Sequence, residues 1–595
     1  MILQALTDYY RRKCDDPDPA QRLPAFGLEQ KEIPFILEIN AEGDLLQLRD
    51  TREPQGKKKV VQIFRVPMGI KKTSGVAANL LWDTLEYVLG VDTKGKPERV
   101  AEQHAAFRAR MAALPEAARQ DAGIQAVNRF LDRMDLAQLE RQPAWADALE
   151  SNAVMSFRLQ GDMDLVCQRP AVVHAALNTT TDDDAPQAMC LVTGEQAPVE
   201  RLHASIKGVW GAQTSGANIV SFNARAFESY GKTERQGENA PVSRAAAFAY
   251  TTALNHLLRK DSPQRMQVGD ASTVFWAERQ APYETIFGDI FQDNPDASTD
   301  KVEALLNAVH SGHWGPMDKD LRYHVLGLAP NAARISIRFY HCVTLQELGQ
   351  RIAQHFDDLA LVRGPNDARY PSLFRLLTAV ALQNKADNIP PNLGGAVVDA
   401  ILAGPNVPYP SLWLNAAVGR CRAEQTVNYL RAAAIKACLN RQQRHAALSS
   451  PSLAPEKEFL PMLDLSNTNP AYRLGRLFAV LEKIQEEASP GLNATIRDRY
   501  YGAASSTPVA VFTTLLRLKN AHLKKLPGVR VASFEKLMGE VLGPVTDFPK
   551  HLPLPDQGRF ALGYYHQRQD FFTKKTDDST TNASTHTASL EGITA

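Results

Sequence analysis

The chain has 595 residues, of which 44 % are hydrophobic and 22 % charged, more than one ordinary domain and the composition of a normal globular protein, so two to four domains are expected. Lysine and arginine total 67 against 66 acidic residues, a formal net charge of +1. That balance excludes any argument for nucleic-acid binding from overall charge; such an argument has to be local.

The N-terminal stretch MILQALTDYYRRKCDD lacks the basic start and apolar core of a secretory signal. Its apolar residues Ile2, Leu3, Leu6, Tyr9 and Tyr10 fit one helix face. No run of about 18 apolar residues occurs, so no membrane span or membrane partner is expected. Residues 33–66 predict short strands (IPFILEI, DLLQL, KKKVVQIFRV) separated by turns at 40–43 and 54–56. Residues 76–150 switch to helical spacing, with Leu80, Leu81, Leu85, Val88 and Leu89 on one face and a second helix over 98–114 stopped by Pro115. Residues 153–177 and 189–222 read as strands and loops. A helix is predicted from Ser243, a natural N-cap, to Arg259, with Ala247, Tyr250, Leu254 and Leu257 inward. Strands are predicted at 274–278 and 333–340, the latter with Ile335, Ile337 and Phe339 on one face.

From 412 to 542 the pattern is helical, broken by prolines into four or so helices, with 18 basic residues against 10 acidic over 411–540, a balance of about +8. The fold class is α+β: a mixed α/β region over 1–405, with a possible split near 150, then a helical bundle over 410–545 and a polar, disordered tail over 575–595.

Catalytic signatures are sparse. Gly231, Lys232 and Thr233 lack the glycine five residues earlier that a phosphate-binding loop needs; Ala226 stands there. Asp182, Asp183 and Asp184 could bind a metal but read as a solvated charge run. His355 and Asp358 share a helix face, read as solvent-exposed. The cysteines Cys14, Cys167, Cys190, Cys342, Cys421 and Cys438 form no CxxC pair and read as reduced thiols of a cytoplasmic protein. A zinc site from Cys167, Cys190, His174 and His203 lacks close-spaced ligand pairs. No metal, cofactor or enzymatic role is therefore expected; a metal-dependent nuclease or NTPase of nucleic-acid metabolism is the alternative.

Two segments suit nucleic acid. Residues 51–75 carry Arg52, Lys57, Lys58, Lys59, Arg65, Lys71 and Lys72 against Glu53 alone. Lys71, Lys72, Thr73 and Ser74, with Asn79, stand before a predicted helix start, where hydroxyls and N–H groups suit phosphate oxygens. Residues 206–244 hold five glycines and the polar set Gln213, Thr214, Ser215, Asn218, Ser221, Asn223 and Asn239, with Lys207, Lys232, Arg235 and Arg244 as phosphate partners. Amides can read base edges, and glycine lets backbone approach a duplex. The interleaved Trp210, Phe222, Phe227 and Tyr230 read as core rather than as stacking platforms.

The segments MILQALTDYY, KKTSGVAANLLWDTLEYVLG, CLVTGE, IKGVWGAQTSGANIVSFNARAFESYGK, NAPVS, AFAYTTALNHLL and GLAPNAARISIRFY resemble the large subunit of the type I-C CRISPR Cascade complex, the Csd-type family, in order from residue 1 to about 340 and more loosely beyond. The resemblance implies a non-enzymatic subunit at one end of a guide-RNA complex. It would read a protospacer-adjacent motif in target double-stranded DNA, promote duplex opening and R-loop formation, and help recruit the helicase–nuclease, guide pairing supplying most specificity. It further implies that the bundle is similar to the small subunit and lines the displaced strand. Arg431, Arg441, Arg473, Arg476, Arg497, Arg517, Lys519, Lys524 and Lys525 are then the candidate strand contacts, and Met462 a candidate internal translation start.

Overall fold

The computed structural model describes residues 2–18, 21–55, 58–70, 75–178, 186–222, 225–227, 229–232, 237–268, 271–281, 284, 288, 295–314, 318–449 and 457–572. The sheets lie in the N-terminal part among helices, and helices alone make up the C-terminal part, an α+β protein. The chain divides into two compact units, one of Met1–Ile206 with Val220–His256 and one of Lys207–Ile219 with Leu257–Ala595. The break expected at 405–410 falls inside the second unit.

In the first unit, helix α1 (Ile2–Cys14) buries Leu6, Tyr9 and Tyr10, spaced three and four apart as one helix face requires. The Tyr10 hydroxyl donates to Pro24 O at 2.8 Å, and its ring stands edge-on to Phe248 with centroids 5.8 Å apart. Ten strands follow among the described residues: β1 (Leu28–Glu32), β2 (Phe35–Ile39), β3 (Leu45–Asp50), β4 (Arg52–Gln55), β5 (Lys58–Val61), β6 (Ile63–Pro67), β7 (Trp82–Thr84), β8 (Val154–Leu159), β9 (Gln187–Met189) and β10 (Gln196–Pro198). The central sheet has the order β3-β2-β8-β7, with β2 parallel to β8. That central position explains why Phe35, Ile36 and Leu37 are consecutive and all buried: both faces of β2 are covered.

The helix expected over 76–89 is interrupted. The Asp83 carboxylate accepts the N–H groups of Asn79 (2.9 Å) and Thr84 (2.8 Å), a local bonding pattern that competes with helix. The chain therefore enters β7 and becomes helical only over α2 (Leu85–Leu89), ended by Gly90 in the left-handed region. Helix α3 (Pro97–Ala112) matches its prediction. Helix α4 (Ala122–Arg133), capped by Asp121, places Phe130 against Phe157 of β8. The end of the stretch 153–177, expected as strands and loops, is instead helix α5 (Pro170–Asn178). Helix α6 (Arg244–Leu257) begins as predicted at Ser243, whose hydroxyl accepts the Ala246 N–H at 3.2 Å.

The second unit contains an antiparallel sheet β11 (Arg265–Val268), β12 (Ala271–Ala277), β13 (Arg322–Asn331) and β14 (Arg334–Thr344), in that order. One face, with Phe275, Tyr323, Val325, Phe339 and Val343, joins a core that runs on through the helices to Tyr565. In β14 the alternation expected of Ile335, Ile337 and Phe339 fails. Leu328 pairs with Ile337 but Gly327 with Phe339, so Arg338 is an extra bulged residue and Ile337 is exposed.

The longer helices of this unit among the described residues are α7 (Pro295–Ser311), α8 (Leu345–Leu359), α9 (Leu393–Ala403), α10 (Ser411–Ala423), α11 (Tyr429–Ser449), α12 (Pro470–Ala488), α13 (Ile496–Ala504), α14 (Pro508–Leu523), α15 (Gly528–Leu542) and α16 (Leu554–Asp570). Helix α12 is started by Asn469, whose side chain accepts from Ala471 and Tyr472 N–H groups, with Pro470 at the first position. It lies so close to α16 that a Cβ on Gly475 would come 2.0 Å from Phe560 O, and one on Gly563 2.0 Å from Tyr472 O. The bundle thus extends past the expected limit at 545, because α16 covers α12.

Candidate nucleic-acid interface

The polar loop 207–219 of the second unit is exposed over most of its length. Its ends are tied to the sheet: Trp210 N–H donates to Ser272 Oγ (2.9 Å), and Ile335 N–H donates to Asn218 O (3.0 Å). Ser272 Oγ in turn donates to Gln267 Oε1 at 3.0 Å. Between these anchors run two turns, Ala212 N–H to Val209 O (3.1 Å) and Gly216 N–H to Gln213 O (2.9 Å). Gly208 is required as glycine: its φ is +85°, and a Cβ there would stand 2.6 Å from Leu258 O. Val209 and Ala217 are buried and hold the loop down, while Gln213, Thr214 and Ser215 are exposed at its tip and Asn218 is half-buried. Lys207, Arg259 and Lys260 are exposed, and the Gly208–Leu258 approach brings the neighbours of each together.

Trp210 corrects the sequence reading. It is 65 % exposed, not core. An indole held in water by a bonded backbone and flanked by Gly208 and Gly211 is an anchored aromatic platform. The paired glycines were the sequence signal for it. Phe227 and Tyr230 of the first unit are also exposed, and Phe222 is half-buried.

Other candidates of the first unit fare differently. Lys71, Lys72, Thr73, Ser74, Asn223, Thr233 and Arg235 lie outside the described residues, as do Asp182, Asp183 and Asp184. Asn79 is buried and its Oδ1 accepts the Ile70 N–H at 2.9 Å, so it is no surface contact. Asn239 Oδ1 accepts from Ser229 N–H (2.8 Å) and its Nδ2 donates to Lys232 O (3.0 Å), which makes it a loop staple. The Lys232 ammonium donates to Glu238 O at 3.1 Å. Ser221 and Arg244 are half-buried. Of the basic run, Arg52 is matched by Asp50 and Asp147 at 2.7 and 2.6 Å.

In the bundle, four of the nine cations proposed for a strand are interior. Arg441 is 0 % exposed. Its Nε donates to Asp358 Oδ2 (2.8 Å), its Nη1 to Ala400 O (2.8 Å), and its guanidinium lies over Tyr409 at 4.1 Å. Arg431 is buried against Glu424 and Ala379 O, and Arg476 donates to Gln567 Oε1 at 3.0 Å. Arg473 donates to Glu540 O (3.0 Å) and Val541 O (3.3 Å), satisfying carbonyls at the end of α15. Arg497 is drawn to Glu482 and Asp498, each at 3.8 Å. Arg517, Lys524 and Lys525 are exposed and Lys519 half-buried. Arg517 of α14 and Lys524, the residue that caps its C-terminal end, are both exposed.

His355 and Asp358 are likewise not at the surface. His355 Nδ1 meets the Tyr409 hydroxyl at 2.6 Å, and Asp358 accepts from both Arg441 and Arg444. Of the zinc candidates, Cys167 sits at Ser156 Oγ, Cys190 Sγ accepts the Val192 and Ser243 N–H groups, and His203 pairs with the Tyr250 hydroxyl. Among the described residues no group of three or more His, Cys, Asp or Glu is placed to hold a metal ion, and no helix is long and apolar enough to cross a membrane.

A family model described as CRISPR-associated protein (Cas_Csd1) matches residues 6–572. The chain belongs to this family. No curated protein matches the chain. Membership makes this Csd-type chain a CRISPR component and covers both units, so the loop 207–219 and the bundle are parts of one family architecture.

Proposed function

We propose that this Csd-type protein is the large subunit of a type I-C Cascade effector, non-enzymatic and cytoplasmic, working with guide RNA and the other Cascade subunits. It reads the protospacer-adjacent motif in double-stranded DNA, promotes duplex opening and R-loop formation, and helps recruit the helicase–nuclease. The observation that supports this reading is the loop 207–219, in which exposed Trp210 and exposed Gln213, Thr214 and Ser215 stand on turns bonded to a sheet. The Gln213 amide and the Thr214 and Ser215 hydroxyls at the tip suit base edges in a groove, Lys207, Arg259 and Lys260 suit phosphates, and the indole suits an unstacked base. Lys71, Lys72, Thr73 and Ser74 stay in the proposal as phosphate contacts. The displaced strand is assigned to Arg517, Lys524 and Lys525, with Lys519 beside them; the four interior arginines are withdrawn.

The test is a reconstituted complex challenged with duplexes that differ only in the flanking motif. Gln213→Ala with Asn218→Ala relaxes motif preference; a uniform loss of affinity across motifs would argue against base reading. Metal-dependent cleavage or ATP turnover by the purified protein would favour the enzymatic alternative.

A further inference from the structure

In the four-stranded sheet of the second unit Ser272 pairs with Leu328, and the last rung of the β13–β14 ladder joins Asn331 to Arg334, so the start of β12 and the turn 331–334 lie at one end. The loop 207–219 is fastened at that end. Trp210 N–H bonds Ser272 Oγ, a Cβ on Gly211 would come 3.3 Å from Pro330 Cγ, and Asn218 bridges Arg334 in parallel. The loop thus holds β13 and β14 just behind their turn and leaves Asn331, Ala332 and Ala333 exposed at the apex.

The turn keeps an unfavourable local conformation. Ala332 has a φ of +52°, in the left-handed region, where a two-residue hairpin turn ordinarily carries glycine or asparagine. Such outliers persist where the surroundings fix them, and they gather at ligand contacts. Among the described residues the Asn331 amide makes no hydrogen bond, whereas Asn239 staples its own loop. The Asn331 side chain therefore does not shape the turn and is available to a partner. The two alanines carry nothing beyond Cβ, so the main-chain groups of the apex can approach a partner closely. Residues alternate along a strand, so Asn331 points to the face opposite Pro330, the face on which a Cβ on Gly395 of α9 would meet Ala271 Cβ at 3.7 Å. The end of the sheet thus offers amides on both sides of one hairpin, Gln213 from the loop and Asn331 from the turn.

Resting on the duplex-reading role above, we propose that the turn 331–334 is a second DNA-contacting element, in which Asn331 bonds a base or sugar edge beside the motif while the loop 207–219 meets the same duplex from the other face of the hairpin. A two-stranded ribbon is an element that enters DNA grooves, and the asparagine amide both donates to and accepts from base edges. A protein partner is gripped by aromatic or arginine anchors, and the exposed residues 331–333 include none.

The test places the photo-crosslinker p-benzoylphenylalanine in the chain of a reconstituted complex holding guide RNA and a labelled, motif-bearing duplex. Asn331→p-benzoylphenylalanine and Thr214→p-benzoylphenylalanine both crosslink the duplex within or next to the motif. Arg279→p-benzoylphenylalanine, at an exposed position just past the other end of β12, does not. Asn331→Ala weakens binding of the motif-bearing duplex about fivefold, the worth of one hydrogen bond, and leaves the melting temperature unchanged. A crosslink from position 214 without one from 331 overturns the proposal and leaves the loop its reading role; absence of both removes the loop as well. Crosslinking from 331 to guide RNA or to a protein subunit in place of DNA, equal crosslinking from 279, or unchanged affinity of Asn331→Ala also overturns it.

Discussion

Asp358→Asn tests the interior charge cluster of the second unit. Arg441 has no exposed surface, and its Nη2 has no hydrogen-bond partner, so Asp358 at 2.8 Å is its one ion-pair partner among the described residues. Arg444 is different: it is 18 % exposed on its side chain and also holds Glu458 at 2.7 Å, so it stays paired when Asp358 is neutralised. The loss is therefore that of one fully buried, uncompensated guanidinium, about 3–5 kcal/mol. For a unit of about 350 residues that lowers its melting transition by roughly 4–7 °C. Asp358→Leu combined with Arg441→Leu removes both charges and recovers most of the loss, giving a coupling of about 2 kcal/mol or more. Denaturation of the full chain, followed by the transition of the second unit, is the assay. If Asp358→Asn stays within about 0.5 kcal/mol of the parent, or the two single changes simply add, the account of Arg441 as a paired interior charge is refuted.

Trp210→Ala leaves the melting transition unchanged, since the indole is largely in water, and slows duplex opening next to the motif, read by an unstacking-sensitive fluorescent base; a large drop in melting temperature would return Trp210 to the core. Lys71→Ala with Lys72→Ala weakens duplex binding across all sequences and reduces the salt slope by about 2, and an unchanged slope removes both from the phosphate contacts. His355 and His566 are both held at about 3 by burial. In the unfolded chain each takes a proton near pH 6.5, whereas the folded protein does not, so their contribution is complete above about pH 6.5 and is lost as pH falls toward 3, each at about 1.4 kcal/mol per pH unit. His566→Phe should flatten that decline by the amount for one histidine, measured as stability at pH 6.5 against pH 4.5; an unchanged slope contradicts its being neutral in the fold.

Local elements were legible because they depend on near neighbours. Ser243 starts α6 because its own hydroxyl reaches the Ala246 N–H, and α1 shows its buried face in the spacing of Leu6, Tyr9 and Tyr10. The interruption at Asp83 and the bulge at Arg338 were not legible, since one rests on a side chain replacing a helix bond and the other on the register with β13. The loop 207–219 was found from its glycines and amides, but its tryptophan was put on the wrong side of the surface. Bonds to Ser272 and Ile335, distant in sequence, together with buried Val209 and Ala217 hold that backbone while the indole is exposed.

The amino-acid sequence by itself determined the helices, most strands, the absence of an overall charge signal and, through motifs kept in order, the family. Tertiary structure alone decided which cations meet solvent. Arg441 and Arg517 both sit in Ala- and Leu-rich helices and look alike along the chain. Arg441 is inside because Asp358, 83 residues away, and the carbonyl of Ala400 converge on it, whereas Arg517 has water. Burial of a charge is decided by partners distant in sequence, and helical periodicity carries no record of them.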